Sequence, residues 1–368
     1  MYSNGGNPFI ETSPLPAEIV LHPSWWFENE GISFDEDFFY DPNKRVESEQ
    51  HMEQALFERW GEYGLGSDRD KKIPLIGAVH LAAGFLVSEM LGCKVQYREN
   101  AAPQVLCADK QSLDIDIHEA FNSRVFRKFY ELREALKREF GYIRGDVNWA
   151  GVLNIAIDLR GERIFTDMFD TPHEVNAFFS KIGALLEEFV AAIQKETGSS
   201  SISVNRNVRH IAKPVFLSSE CSHTMISTDH YEQYLLKFDR DWSRKYRPYG
   251  IHYCGEDLHR HIAGLVEIPH LDFVDVGWGG NVKKLRANLP GTFLNIRLSP
   301  VDLIHTSCEE IKATIRRLVS DSGNPFLTGI CCVNIDHQVA DEKITTIFET
   351  VRELREEGGS CGTYEVSI

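Results

Sequence analysis

The segment YGIHYCGEDLHRH (249–261) puts His252, His259 and His261 and the thiol of Cys254 into one short stretch. Imidazole nitrogen and thiolate sulfur are the donors that zinc takes, and they favour it over magnesium or calcium. An H-x-C pair on an extended segment carries both side chains on one face, because strand side chains alternate with period two. A third donor from a neighbouring strand would complete a His-Cys-Cys set with an open fourth position, the arrangement of a catalytic zinc. Taken alone the pair is a weak signal, since small buried cysteines are common in strand cores. His259 and His261 fall past the apolar run, on what reads as a helix, and are expected to be exposed or capping.

Two more groups close apolar runs in the same way. Glu220 and Cys221 follow VFLSS, and Cys331 and Cys332 end FLTGICC. In a β/α barrel chemistry sits at the C-terminal ends of the strands, so all three groups would share one rim.

The elements that must position them are legible from residue 141 onward as short apolar runs separated by helical stretches. Strands are expected at 151–159, 210–219, 248–254, 271–278, 292–298 and 326–334. Helices are expected at 172–197, with Pro172 at the first turn, and at 228–245, 308–319 and 341–357. Upstream, residues 46–63 read as a helix, 75–91 as an apolar helix-length run, 93–99 as a strand and 117–140 as an amphipathic helix. Alternation over this length predicts an α/β fold, a (β/α)8 barrel over residues 71–368 preceded by a helical and irregular N-terminal extension over 1–70. The extension contains HPSWWFENEGISFDEDFFYD (22–41), where aromatic and acidic side chains interleave. Those rings either pack on the main body or close over a pocket.

With 42% hydrophobic and 26% charged residues, a sizeable core is available. The net charge of −16 is spread along the chain and argues against nucleic acid or an anionic membrane as the main partner. No apolar run approaches the roughly 18 residues of a membrane span, and the start has neither a basic nor an apolar signal region, so a cytoplasmic protein is expected. The eight cysteines are therefore expected as reduced thiols or metal ligands.

Five segments then resemble one family in consistent order: GVLNIAIDLRGERIFTDMFDTPHEVNAFFSKI (151–182), ISTDHYEQYLLKF (226–238), GIHYCG (250–255), LNIRLSPVDLIHTSCEEI (294–311) and TGICCVN (328–334). They are similar to the uroporphyrinogen decarboxylase superfamily, over residues 141–354 and more loosely from 75. The resemblance implies a β/α barrel. The decarboxylase branch carries an arginine-rich "R-Q-A-G-R" motif that is absent here; the first 70 residues hold only Arg45, Arg59 and Arg69. The zinc- and corrinoid-dependent methyltransferase branch takes its ligands from H-x-C and a terminal cysteine, which implies His252, Cys254 and Cys331, with a corrinoid (cobalamin) protein as partner and a small methylated substrate. Zinc would act as a Lewis acid on the leaving heteroatom while a Co(I) corrinoid takes the methyl group. The aromatic opening segment tilts the donor toward a phenyl methyl ether. Transfer from methylcobalamin to a thiol would use the same metal in reverse. A metal-free porphyrinogen decarboxylase and a non-catalytic corrinoid-binding scaffold are the competing readings.

Departures from the family pattern are specific. Its "G-N-L-D-P" turn reads Ile296-Arg297-Leu298-Ser299-Pro300, so the asparagine and aspartate are missing. Cys332 would face away from Cys331 and is assigned to packing. Glu220 is either a fourth ligand, a proton relay or an ordinary strand-end acid, and Cys221 is a weaker candidate.

Overall fold

A computed structural model describes residues 14–66, 84–141, 149–197 and 215–360. Eight strands occur among them: β1 Ala17–Leu21, β2 Lys94–Arg98, β3 Ala101–Leu106, β4 Phe216–Ser219, β5 Tyr249–His252, β6 Phe273–Val276, β7 Phe293–Leu298 and β8 Thr328–Ile335. Six of them form one parallel sheet in the order β1-β8-β7-β6-β5-β4. The sheet curls into a half-barrel with helices against its outer face, so the expected α/β class is observed. The expected closure into eight strands is not seen among the described residues.

Alternation along the strands separates two layers. Ile251, Val274, Ile296, Ile330 and Cys332 point outward into the main apolar core, where the helices cover them. The inner face is split. Leu217, Phe273 and Phe293 form an apolar floor near the strand starts, and Val20, Cys331 and Val333 form another patch. Toward the strand ends the inner face turns polar, with His252, Asp275, Asn295 and Arg297 all buried.

Most helices appear where periodicity placed them: Pro172–Thr197, Cys308–Ser322 and Asp341–Ser360. The last strands agree as closely. The helix expected over 228–245 is broken by a π-helical turn, Tyr231–Leu235, which buries Tyr231 and Tyr234. The amphipathic stretch 117–140 is two helices, Ile117–Phe121 and Arg124–Phe140, divided where Ser123 caps the second. The strand expected at 93–99 exists as β2, but it pairs antiparallel with β3 outside the main sheet. Of the 75–91 run, the described part contains helix Phe85–Met90.

Two segments differ from the sequence reading for physical reasons. GVLNIAIDL, expected as a strand, is the helix Val152–Arg160. Its first turn is held by a carboxylate from a distant strand end, a partner that local periodicity does not see. Ala17–Leu21, within the stretch read as an extension, pairs in parallel with β8 and is an edge strand of the sheet. The aromatic segment that follows it is core: Trp25, Trp26, Phe34, Phe38 and Phe39 are all buried and meet one another, Trp60 and Phe85 edge-on or tilted. Packing accounts for these five rings, while Phe27 and Tyr40 of the same stretch are half-buried.

Candidate metal centre at the strand ends

β5 ends at His252, and the chain stays extended for one more residue because the Tyr253 amide donates to the Asp275 carbonyl at 3.0 Å. Cys254 therefore returns to the face of His252, and its Sγ lies 3.0 Å from His252 Nε2. The loop after β6 closes on the loop that follows Cys254. A Cβ at Gly277 would sit 1.7 Å from the Gly255 carbonyl oxygen, so this approach requires glycine.

The third donor comes from β4. Cys221 starts the short 3-10 turn Cys221–Met225, and its Sγ is 2.7 Å from that of Cys254. Cys221 Sγ, His252 Nε2 and Cys254 Sγ all lie within 4.8 Å of one another. The turn is held by the helix Val152–Arg160. The Gly151 amide donates to the Ser219 carbonyl at 2.8 Å, Asn154 Nδ2 donates to the same oxygen at 3.0 Å, and the Ser222 amide donates to Asn154 Oδ1 at 2.9 Å. Glu220 completes the clamp by accepting from the amides of Leu153 at 2.9 Å and Asn154 at 3.0 Å. Its carboxylate faces the helix start, where unsatisfied N–H groups and the helix dipole favour an acid. Glu220 thus anchors its neighbour Cys221 and is not among the three converging donors. Burial outweighs the two amides and pushes its carboxyl up to about 8.

Charge within the group is distributed by contact. His252 Nδ1 meets Asp275 Oδ2 at 2.6 Å, which leaves Nε2 to face the two sulfurs. Asp275 is fixed in turn by Asn295 Nδ2 at 3.0 Å. Burial alone would lower the imidazole pKa, but the Cys254 thiolate and then Asp275 raise it to about 9. The two sulfurs lie against each other, and either can be the donor; the hydrogen bond from Cys221, then His252 and Arg297, lowers the Cys254 thiol against its burial.

The sequence-expected ligands are only partly brought together. His252 and Cys254 converge. Cys331 is fully buried, with its Sγ 3.7 Å from Oδ1 of Asp275, the carboxylate that meets His252 Nδ1, and is not in the converging group. Cys332 faces the outer core, as expected of a packing residue, 3.6 Å from the Leu298 carbonyl. His261 is not exposed: it is buried on the turn Leu258–His261 against Tyr231 and His223. His259 stays half-buried, and its Nδ1 accepts from the Asn281 amide at 3.4 Å. Arg297, which the sequence marks only as a departure from the family turn, joins the site. Its Nη1 is 3.5 Å from His252 Nε2 and 3.7 Å from Cys254 Sγ.

Two thiols, an imidazole and a carboxylate on the far ring nitrogen are a donor set that fits zinc. Tetrahedral Zn–S bonds of about 2.3 Å keep two sulfurs about 3.8 Å apart, so Cys221 and Cys254 would open by about 1 Å to hold an ion. Both are partly exposed at the rim, which gives an entry path. The described cysteines are all free, and no described helix is long and apolar enough to cross a membrane.

An α/β half-barrel with soft donors at its strand ends is the class of protein this defines. No protein-family profile and no curated protein sequence matches the chain. Solved structures do match its fold. A methyltransferase from Methanosarcina mazei superposes with a TM-score of 0.66 at 12% identity, covering 94% of this chain and 96% of its own. A B12-independent methionine synthase from Shewanella sp. W3-18-1, in complex with selenomethionine, superposes with a TM-score of 0.54 at 11% identity, covering 95% and 99%. At such identity the likeness establishes the fold, and the activity has to be argued from the site.

Proposed function

We propose that the protein is a zinc-dependent methyltransferase in which Cys221, His252 and Cys254 hold the metal and its fourth position takes the substrate heteroatom. The observation that carries this reading is the convergence of three soft donors within 4.8 Å at the C-terminal strand ends. When bound, zinc supplies a Lewis acid for the heteroatom that loses or gains the methyl group. The chain's own residues prepare that place. Asp275 fixes the tautomer of His252 and directs Nε2 at the ion, and the Glu220–Asn154 clamp sets the position of Cys221.

The motif GIHYCG and the ordered segments around it support transfer between a small methylated substrate and the corrinoid of a partner protein. A second reading, direct transfer without a corrinoid, is favoured by the second structural neighbour, whose own description is B12-independent. Both readings share the metal site, which is tested first. Purified protein is expected to carry about one zinc per chain, lost in Cys221→Ala, His252→Ala and Cys254→Ala and retained in Cys331→Ala. Loss in Cys331→Ala with retention in Cys221→Ala would overturn the assigned ligand set. Absorbance of added Co(I) cobalamin or methylcobalamin then separates the two readings, because only the first changes it.

A further inference from the structure

Arg297 is buried, with 4% of its surface exposed, yet its fork is underused. Among the described residues its polar contacts are made by Nη1, to His252 Nε2 and Cys254 Sγ, and its buried Nε has no hydrogen-bond partner. The nearby Asp275 balances its charge without bonding to it, since that carboxylate is taken by His252 and Asn295. A permanently charged guanidinium with idle buried donors is costly unless something else occupies them. The ring of Trp278 supports it, with Cζ 5.3 Å from the ring centroid. Both side chains line a cavity of about 490 Å³ between the loop after β6, the end of β7 and the helices Pro300–His305 and Cys308–Ser322. Glu256, Asp302 and Arg317 also line this cavity, but all three are solvent-exposed, so its outer end carries both signs of charge and Arg297 is the buried charge in its lining.

We propose that this cavity binds the substrate and that Arg297 holds a carboxylate or sulfonate on it, making the substrate a small organic anion. This rests on the methyltransferase reading for what happens next, but binding of the anion does not. A planar guanidinium held on an aromatic face matches a planar or tetrahedral oxoanion through two parallel donors. Arg297 Nη1 lies within 3.7 Å of Cys254 Sγ, so an anion seated on the fork leaves the remainder of a short chain beside the soft donors. Arginine where the family turn carries asparagine makes this a property of this chain.

The test is a ligand-observed NMR titration of the full-length protein, zinc-loaded and metal-free, with butyrate, butanesulfonate, butyramide and inorganic phosphate. Butyrate and butanesulfonate are expected to bind at least tenfold more tightly than the neutral amide. Arg297→Gln is expected to remove that preference, and Arg297→Lys to keep part of it, since lysine retains the charge without the fork. Equal binding of butyramide, an undiminished preference in Arg297→Gln, or phosphate binding as tightly as butyrate would each overturn the proposal. A thermal melt of each variant identifies misfolding, in which case the amide comparison in the wild type decides. Zinc content of the same samples separates the two claims. Anion preference without zinc would retain the cavity assignment and remove the metal reading, whereas zinc without anion preference would do the reverse.

Discussion

Gly151→Ala tests the clamp that sets Cys221, by adding one methyl group on the opposite side of a helix start. Gly151 has φ −68° and ψ 175°, which alanine adopts without strain, so the backbone contributes no penalty. The penalty comes from contact. The new Cβ would lie 2.3 Å from Glu220 Oε2, 2.6 Å from Cδ and 3.0 Å from Cα, so the carboxylate must leave. Leaving breaks its bonds to the Leu153 and Asn154 amides inside a buried site, at about 0.5–1.5 kcal/mol each and more if the groups stay dry. Reduced freedom of the unfolded chain offsets about 0.4–1 kcal/mol. The net expectation is a loss of up to about 2.6 kcal/mol in urea unfolding, more if the amides stay dry, with a tenfold or greater fall in zinc affinity because Cys221 follows Glu220 directly. In a Glu220→Ala background the same glycine change should cost about 1 kcal/mol less, because Oε2 and Cδ, the two nearest atoms it meets, are gone. Unchanged stability and zinc affinity in Gly151→Ala, or no coupling with Glu220→Ala, would refute the claim that this carboxylate anchors the site.

Asp275→Asn keeps the shape but weakens the contact that orients His252, so zinc affinity in a chelator competition is expected to fall about 10- to 100-fold; an unchanged affinity would mean the ring is held by packing alone. Asp239 is buried under the hydroxyls of Tyr231 and Tyr249, and burial raises its carboxyl from 3.8 to about 6. A raised folded value means the group's stabilising contribution is complete below about pH 4 and is lost as pH rises through 6, a change of about 3 kcal/mol. The stability difference between wild type and Asp239→Asn should therefore move in that sense between pH 4 and 7 in urea titrations, and a difference independent of pH would contradict it.

What could be read from the sequence follows from where the information resides. β5 to β8 and the helices 172–197, 308–322 and 341–360 are specified by their own apolar period and capping residues, such as the Ser307–Glu310 capping box, and they appear as expected. GVLNIAIDL is ambiguous in sequence because the nine residues between Gly151 and Gly161, six of them Val, Leu, Ile or Ala, suit either a buried strand or a short helix. The choice is made by Glu220, remote in sequence. The H-x-C pair was legible because a period-two rule is local. The place of His261 was not, because its burial depends on Tyr231, which the π-helical turn brings inward.

The third donor shows why strand ends alone under-determine a site. Position at a C-terminal end says that Cys221 and Cys331 share a rim, but strand order decides which of them is near. β4 is the immediate neighbour of β5, with Ser219 in register with His252. β8 lies three strands from β5, about 14 Å along the sheet at about 4.8 Å per step, less what curling recovers. The row between is occupied. Arg297 on β7 is in register with Cys331, and its guanidinium reaches back over β6 to His252 and Cys254. β4 adjoins β5 directly, so no such cation stands between the strands that carry Cys221 and Cys254, and that is the pair the structure brings together with His252.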